Sequence, residues 1–341
     1  MSERKYDVDI DLANQTKSEM AAELESGDER VLNRLGAFAS LYDFSLPGYR
    51  HPVLVMKTEE PGSKQLLAFQ RGAVEGICRD MIHHLVNDCI VMGAKPLMVQ
   101  DAVICGKLDK DVVKRIVREI ARCCREQGCS LTGGETSEQP GVLAPGSYIL
   151  TSSIVGVVER ELIIDGSKIE AGDEVIALES SGPHTNGYTL IRRLLAEDPG
   201  LESRDLGGRS FIDRVMESHR CYYQALKGLF PTGSLRGLAH ITGGGIKENL
   251  NRILPEGAGA RIDLGLYKVP PIFGAIREAG KVSDAEMLRT FNLGVGLVAV
   301  ARKADAATIV SHLERRGVPA YSIGEILPGT RTVETSGSIS W

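Results

Sequence analysis

The sequence predicts an α/β or α+β protein built in two halves, each with its own sheet. Three observations lead there. Short β-rich runs alternate with longer segments whose apolar residues recur at helical spacing. Glycine clusters sit between these runs, where a strand turns into a helix or loop, and not at a fixed period. A length of 341 residues, 43% apolar, supplies more core than one small domain needs and makes a metal or disulfide staple unnecessary.

The elements follow in order. Residues 1–35 are polar and charged and read as a partly helical, loosely attached arm. "PVLVMKTE" (52–59) reads as a strand, and 73–94 as a helix ended by Gly93 and Pro96. "PLMVQDAVICG" (96–106) is a strand, and 109–127 is a long amphipathic helix with Asp109 at its start and Gly128 past its end. "CSLTGGETSEQPG" reads as a strand entering a glycine turn and polar loop, and 148–159 as a further strand. In the second half, 163–182 reads as a strand pair. The stretches 185–197 and "FIDRVMESHRCYYQALKGLF" read as helices, and 237–254 as strand, glycine turn and helix. A helix after Pro271, a strand at 294–302, another helix and the strand "AYSIGEIL" complete it. The predicted division is an arm (1–35), an N-terminal domain (36–169) and a C-terminal α/β domain (170–341).

Composition excludes several functions. A net charge of −5 argues against a nucleic-acid-binding protein, which needs a basic face, but permits a small anionic substrate held by local cations. No apolar run is long enough for a membrane span, and the start lacks the apolar stretch of a signal peptide. Seven scattered cysteines, an odd number, read as reduced thiols of a cytoplasmic protein. Cys123, Cys124 and Cys129 cluster, but no second pair stands at zinc spacing.

Four segments carry candidate chemistry. Asn87 and Asp88 interrupt an apolar helix, where a carboxylate needs a partner or a cation. Gly133 and Gly134 would let backbone amides approach a ligand, with Glu135, and less so Glu138, as a carboxylate for a hard cation. Ser181, His184, Thr185 and Asn186 line a loop opening a helix, which suits an anion; Thr185 or Asn186 could equally be an ordinary N-cap. In "LAHITGGGIKENL", Gly243 to Gly245 form a phosphate-type turn that is neither a Walker nor a dinucleotide sequence, with His240 just before it.

Together these segments resemble the aminoimidazole ribonucleotide synthetase (phosphoribosylformylglycinamidine cyclo-ligase) family. The resemblance runs from "YDVDIDLANQ" to "AYSIGEI", through "VNDCIVMGAKPL", "GCSLTGGETSEQPG", "SSGPHTNGYTLIRRLL", "LAHITGGGIKENLNRILP" and "EMLRTFNLGVGLVAV". It implies a two-domain fold whose N-terminal domains pair into a barrel-like sheet in a homodimer. It also implies ATP, Mg2+ and a phosphorylated small-molecule substrate, formylglycinamidine ribonucleotide. Its amide oxygen is phosphorylated and then displaced as the imidazole closes. By position, the resemblance assigns Asp88 and Glu135, with Asn87 beside them, to the magnesium–phosphate cluster. It puts Lys64, Asp101 and Glu59 near the nucleotide, in a pocket shaped by Gly133, Gly134 and Thr136. Ser181, Thr242 and Gly243, Gly244 and Gly245 face the substrate, and His184, His240 and Asn186 are the candidates for catalysis.

The chain departs from the family at residues 57–64, "KTEEPGSK", where the family reads Gly-Thr-Asp-Gly-Val-Gly-Thr-Lys. Glu60 and Pro61 put a side chain, and remove an amide donor, where backbone could approach phosphate. "QDA" at 100–102 and "YI" at 148–149 depart as well. Three readings stay open: the cyclase itself, a paralogue activating an amide or carboxylate of another small molecule, and a non-catalytic ligand-binding member.

Overall fold

A computed structural model describes residue 15, residues 27–33 and residues 38–341. The described residues fall into two compact units, those up to 86 with 96–157, and 87–95 with 158–341. Most of the predicted arm lies outside the described residues. Its stretch 27–33 is tied down: Asp28 accepts a 2.8 Å bond from Ser130 Oγ and pairs with Arg30 at 2.9 Å, which holds the Asp28 carboxyl down to about 2.

The first unit holds a four-stranded sheet in the order β1 (Pro52–Glu59), β4 (Tyr148–Glu159), β2 (Lys95–Cys105), β3 (Ser130–Glu138). Helices α1 (Lys64–Gln70), α2 (Val74–Ile90) and α3 (Lys110–Glu126) come between the strands in sequence. Alternation decides which face is covered. Val99, Val103 and Cys105 of β2, and Leu150, Ser152 and Ile154 of β4, are buried, and Ser152 Oγ lies 3.3 Å from Met81 Sδ of α2. The other face leaves Leu54, Met56 and Ile149 exposed. In α3, Asp109 caps the Asp111 and Val112 amides, and Val113, Ile116, Val117, Ile120, Cys123 and Cys124 form one buried stripe. Gly128 then takes the left-handed conformation (φ 71°) that ends the helix. All seven cysteines are free.

The second unit contains a six-stranded sheet, β10 (Val333–Ser336), β7 (Ala258–Asp263), β9 (Ala320–Pro328), β5 (Glu174–Glu179), β8 (Val295–Ala301), β6 (Leu235–His240). Every described pairing is antiparallel except β10 with β7. The run "VGLVAVA" of β8 is buried at every position, as an apolar stretch covered on both faces must be. Helices α4 (Tyr188–Glu197), α5 (Phe211–Met216), α6 (Tyr223–Leu226), α7 (Gly245–Asn251), α8 (Pro271–Gly280), α9 (Asp284–Thr290) and α10 (Lys303–Arg315) belong to this unit.

Three expected elements differ. Of the strand pair at 163–182, Glu174–Glu179 alone is a strand; the preceding residues turn, with Gly166 packed so closely on the Ile253 carbonyl that no Cβ fits. "TGGE" is not a turn: it lies inside β3, paired in parallel with β2 across a bulge at Val99/Gln100. The helix expected over 211–230 is broken into α5 and α6, and the extended residues between them carry a histidine into the site.

Candidate functional site

In the second unit the site forms where three segments meet. The last turn of α2 supplies Asn87 and Asp88, the end of β6 supplies His240, and the loop after β5 supplies Ser181 to Asn186. Asp88 Oδ1 lies 2.7 Å from His240 Nδ1, so the carboxylate accepts the ring N–H and sets both tautomer and ring direction. This answers why an aspartate sits in an apolar helix: it holds a histidine.

Asn87 does something other than expected. Its Nδ2 donates to the Arg220 carbonyl (2.8 Å) and its Oδ1 accepts from the Tyr222 amide (3.0 Å). Both ends of the buried amide are committed to backbone, so Asn87 is a clamp on the 217–222 segment and not a metal ligand. The clamp brings in His219, which the sequence reading missed. Its ring is 1% exposed, stacks on His184 with centroids 3.8 Å apart, and points Nε2 at His240 Nε2, 3.0 Å away. The missed signal was Ser218-His219-Arg220, polar residues interrupting an apolar helical pattern.

His184 is 0% exposed and sits at φ 60°, a strained conformation for a non-glycine residue. Its Nε2 accepts the Ser181 amide at 3.2 Å, so the lone pair is on Nε2 and the ring proton on Nδ1. Ser181 spends its hydroxyl on the Ser218 carbonyl (2.6 Å); it shapes the loop. Neither Thr185 nor Asn186 caps α4, whose N-cap is Gly187 without a side-chain bond. Asn186 lies beside Gly243, where a Cβ would be 3.6 Å from its Oδ1, and its Nδ2 has no hydrogen-bond partner among the described residues. Tyr222, its phenol pushed well above the usual range by burial, stays protonated and donates to the Glu179 carbonyl at 3.0 Å. Gly296 of β8 makes room: a Cβ there would overlap the Tyr222 hydroxyl and crowd His184.

The triple-glycine turn is more occupied than expected. Gly244 N–H donates to the Arg289 carbonyl (3.0 Å) and Gly245 N–H to the Thr242 carbonyl (3.1 Å). Asn249 Nδ2 bonds the Gly245 and Gly243 carbonyls at 2.8 and 3.2 Å, and Thr242 Oγ1 lies 3.4 Å from Asn249 Oδ1. The amides of Gly244 and Gly245 are therefore spent inside the unit and do not form a phosphate cradle.

The first unit holds the remaining candidates. Asp101 pairs with Gly134 and Val103 with Thr136, so these four share the helix-covered face; Glu135, paired with Ala102, points to the open face and is exposed. A Cβ at Gly134 would overlap the Asp101 carboxylate, so the glycine there is required by Asp101. Burial pushes the Asp101 carboxyl up to about 7, and no ion pair to it exists among the described residues. A half-buried carboxyl in that condition suits a cation donor. Glu59 pairs with Lys57 at 2.8 Å. Lys64, expected near a nucleotide, is instead 0% exposed and paired at 2.8 Å with Asp80, also 0% exposed. A buried, paired ammonium of this kind is part of the core.

Comparison with known proteins decides the family. The AIR synthase related protein N-terminal domain matches residues 49–158, and its C-terminal domain matches residues 170–336. The chain belongs to the AIR synthase related family. Within it, the chain is 38% identical over 334 residues to the phosphoribosylformylglycinamidine cyclo-ligase of Bacillus thuringiensis (strain Al Hakam), covering 97% of this chain and 96% of that protein. It is 44% identical over 304 residues to the protein of the same name from Sorangium cellulosum (strain So ce56), covering 87% and 86%. Among solved structures it shares the fold of Escherichia coli HypE, a hydrogenase maturation protein (TM-score 0.69, 18% identity, 96% and 94% covered). A HypE in complex with ATP (0.64, 18%, 95% and 91%) and the thiamine-monophosphate kinase of Stenotrophomonas maltophilia (0.64, 17%, 96% and 96%) share it too.

Proposed function

We propose that the chain is an ATP-dependent cyclo-ligase that closes the imidazole ring of aminoimidazole ribonucleotide from formylglycinamidine ribonucleotide, with magnesium, as a cytoplasmic homodimer. The observation that carries this reading is the Asp88–His240 bond: it joins two family segments, "VNDCIVMGAKPL" and "LAHITGGG", into one oriented acid–base pair. Identity of 38–44% with proteins named for that reaction, over most of the chain, supports it.

The chemistry fits the groups present. An amide oxygen is a poor leaving group and a phosphate a good one, so the work left to the protein is positioning, charge neutralisation and proton transfer. His240, steered by Asp88, and His184 are the proton carriers as the amidine nitrogen attacks. Asn186 offers an amide donor to the substrate beside Thr242 and Gly243. On the nucleotide side, Asp101 would hold the cation, with Gly134 and Thr136 on the same face of the sheet, while Glu135 lies on the opposite face, away from that cation. Magnesium, when bound, supplies neutralisation of phosphate charge. A fold neighbour solved with ATP supports nucleotide use. Exposed Leu54, Met56 and Ile149 on the open sheet face support pairing of N-terminal halves.

A second reading, the same activation applied to another small molecule, is favoured by the Lys57–Glu59 pair at the end of β1, where the family carries a glycine and an aspartate. One assay separates them: phosphate release from ATP and magnesium with formylglycinamidine ribonucleotide. Substrate-dependent release with an imidazole product supports the cyclase; ATP binding without release overturns it in favour of the second reading.

A further inference from the structure

We propose that His184, His219 and His240 form a transition-metal site of the zinc, cobalt or nickel class, and that its occupancy blocks turnover. The three buried imidazoles each bring a ligand nitrogen within 4.8 Å of the others. Two of the positions are fixed by unrelated parts of the chain. His240 is held by Asp88 on Nδ1, which leaves the Nε2 lone pair directed away from the carboxylate. This carboxylate–histidine arrangement is how metal-bound imidazoles are oriented. His184 carries its lone pair on Nε2, because that atom accepts the Ser181 amide at 3.2 Å and the Arg220 amide at 3.5 Å. A metal on this atom displaces both bonds, and the ring must also turn out of its stack on His219, whose centroid lies 3.8 Å away.

His219 completes the set: its Nε2 donates to the His240 Nε2 lone pair at 3.0 Å, so metal binding also moves the His219 ring proton to Nδ1. With metal–nitrogen bonds of about 2.0–2.1 Å at tetrahedral angles, two ligand nitrogens stand roughly 3.3 Å apart, so this pair needs only a few tenths of an ångström to open. Three neutral imidazoles select borderline-soft cations over magnesium, which wants oxygen. The thiols do not compete in this unit's site: six of the seven are buried, and none belongs to the cluster.

The second half of the proposal rests on the function proposed above. His184 and His240 are its proton carriers, and a metal on their Nε2 atoms removes those lone pairs from proton transfer. Metal binding and catalysis thus exclude each other, with His219 as the residue that adds metal affinity.

The test begins with binding, which needs no activity. Cobalt(II) is titrated into the whole protein and read by its visible absorption, and zinc is titrated into protein with 15N-labelled histidine. The expected result is one ion per chain at micromolar concentration, tetrahedral cobalt bands without sulfur charge transfer, and three ligated Nε2 signals. His219→Gln and His219→Phe should each lose the binding, and His83→Gln, outside the cluster, should keep it. Absence of cobalt bands, a sulfur charge-transfer band, or binding that survives both His219 substitutions overturns the site. The 15N signals of the unsubstituted protein decide the matter if either variant misfolds. Given the site, zinc should inhibit phosphate release in the wild type and not in His219→Gln. Inhibition that persists in that variant overturns the regulatory half. A protein that binds metal through these rings yet shows no cyclo-ligase activity when metal-free refutes the proposed function and leaves the site standing.

Discussion

Replacing Asp101 by asparagine should make the protein more stable above neutral pH and change little in acid. In the folded protein burial raises the carboxyl from 3.8 to about 7. A carboxyl raised on folding contributes fully below the unfolded value and loses that contribution as pH climbs toward the folded one. The window therefore runs from about pH 4 to about pH 7, in the sense opposite to a salt-bridged aspartate. At 1.36 kcal/mol per unit the full interval is worth about 4 kcal/mol, an upper bound. Asp101 keeps some exposure, so roughly 2 kcal/mol is the working expectation. Asparagine has nearly the same shape and cannot ionise, so it fits against Gly134 without the charge. Urea unfolding of both proteins from about pH 4 to about pH 8.5 reads the difference directly. The wild-type curve should fall away from that of the variant across the window. Magnesium at high pH should restore the wild type more than the variant, since a cation favours the ionised carboxyl. Parallel curves would show that the Asp101 carboxyl is not desolvated, and would remove the reason for choosing it as the cation donor.

Three further outcomes are expected. Lys64→Met should cost about 3–5 kcal/mol by taking the Lys64 cation away from the buried Asp80 carboxylate, and adding Asp80→Leu should recover most of it; urea midpoints of the single and double variants check this. Asn87→Leu should cost about 2–4 kcal/mol by leaving a buried carbonyl and amide without partners. It should also speed hydrogen exchange at the Tyr222 amide, measured by mass spectrometry. Changing Glu59-Glu60-Pro61 to Asp-Gly-Val should tighten ATP binding with magnesium, by restoring an amide donor at 61 and removing a side chain at 60; equal or weaker binding by calorimetry would show the present loop already fits its nucleotide.

Much of the architecture was legible because it rests on local pattern. The stripe of α3, the run "VGLVAVA" and the strand at 52–59 announce themselves by period and length. What local pattern could not give was the use of a polar group by a distant partner. Asn87 reads identically whether it grips a cation or the backbone at 220 and 222; that choice depends on residues far along the chain. The resemblance put Lys64 near the nucleotide, but Asp80, one helix later, pairs with its ammonium in the core. "TGGE" carried the glycines of a turn, yet Gly134 is there because the neighbouring strand presents Asp101. His219 was invisible for the same reason: a break in a helix looks accidental until the clamp that causes it is seen.

The clamp on the 217–222 segment has a consequence for how the protein is made. Its two bonds span 133 and 135 residues, and the Asp88–His240 bond spans 152. Because loop closure grows only logarithmically with length, the thermodynamic penalty of such reach is small, about 0.6 kcal/mol per doubling. The delay is not small. At roughly 5–20 residues per second, the ribosome needs about 8–30 seconds after finishing Asp88 before His240 exists. Throughout that interval the nascent helix α2 ends in an amide and a carboxylate whose partners have not been synthesised. Ordering of this centre is thus a late event of synthesis, and the end of α2 is where a chaperone or a protease would find the growing chain incomplete.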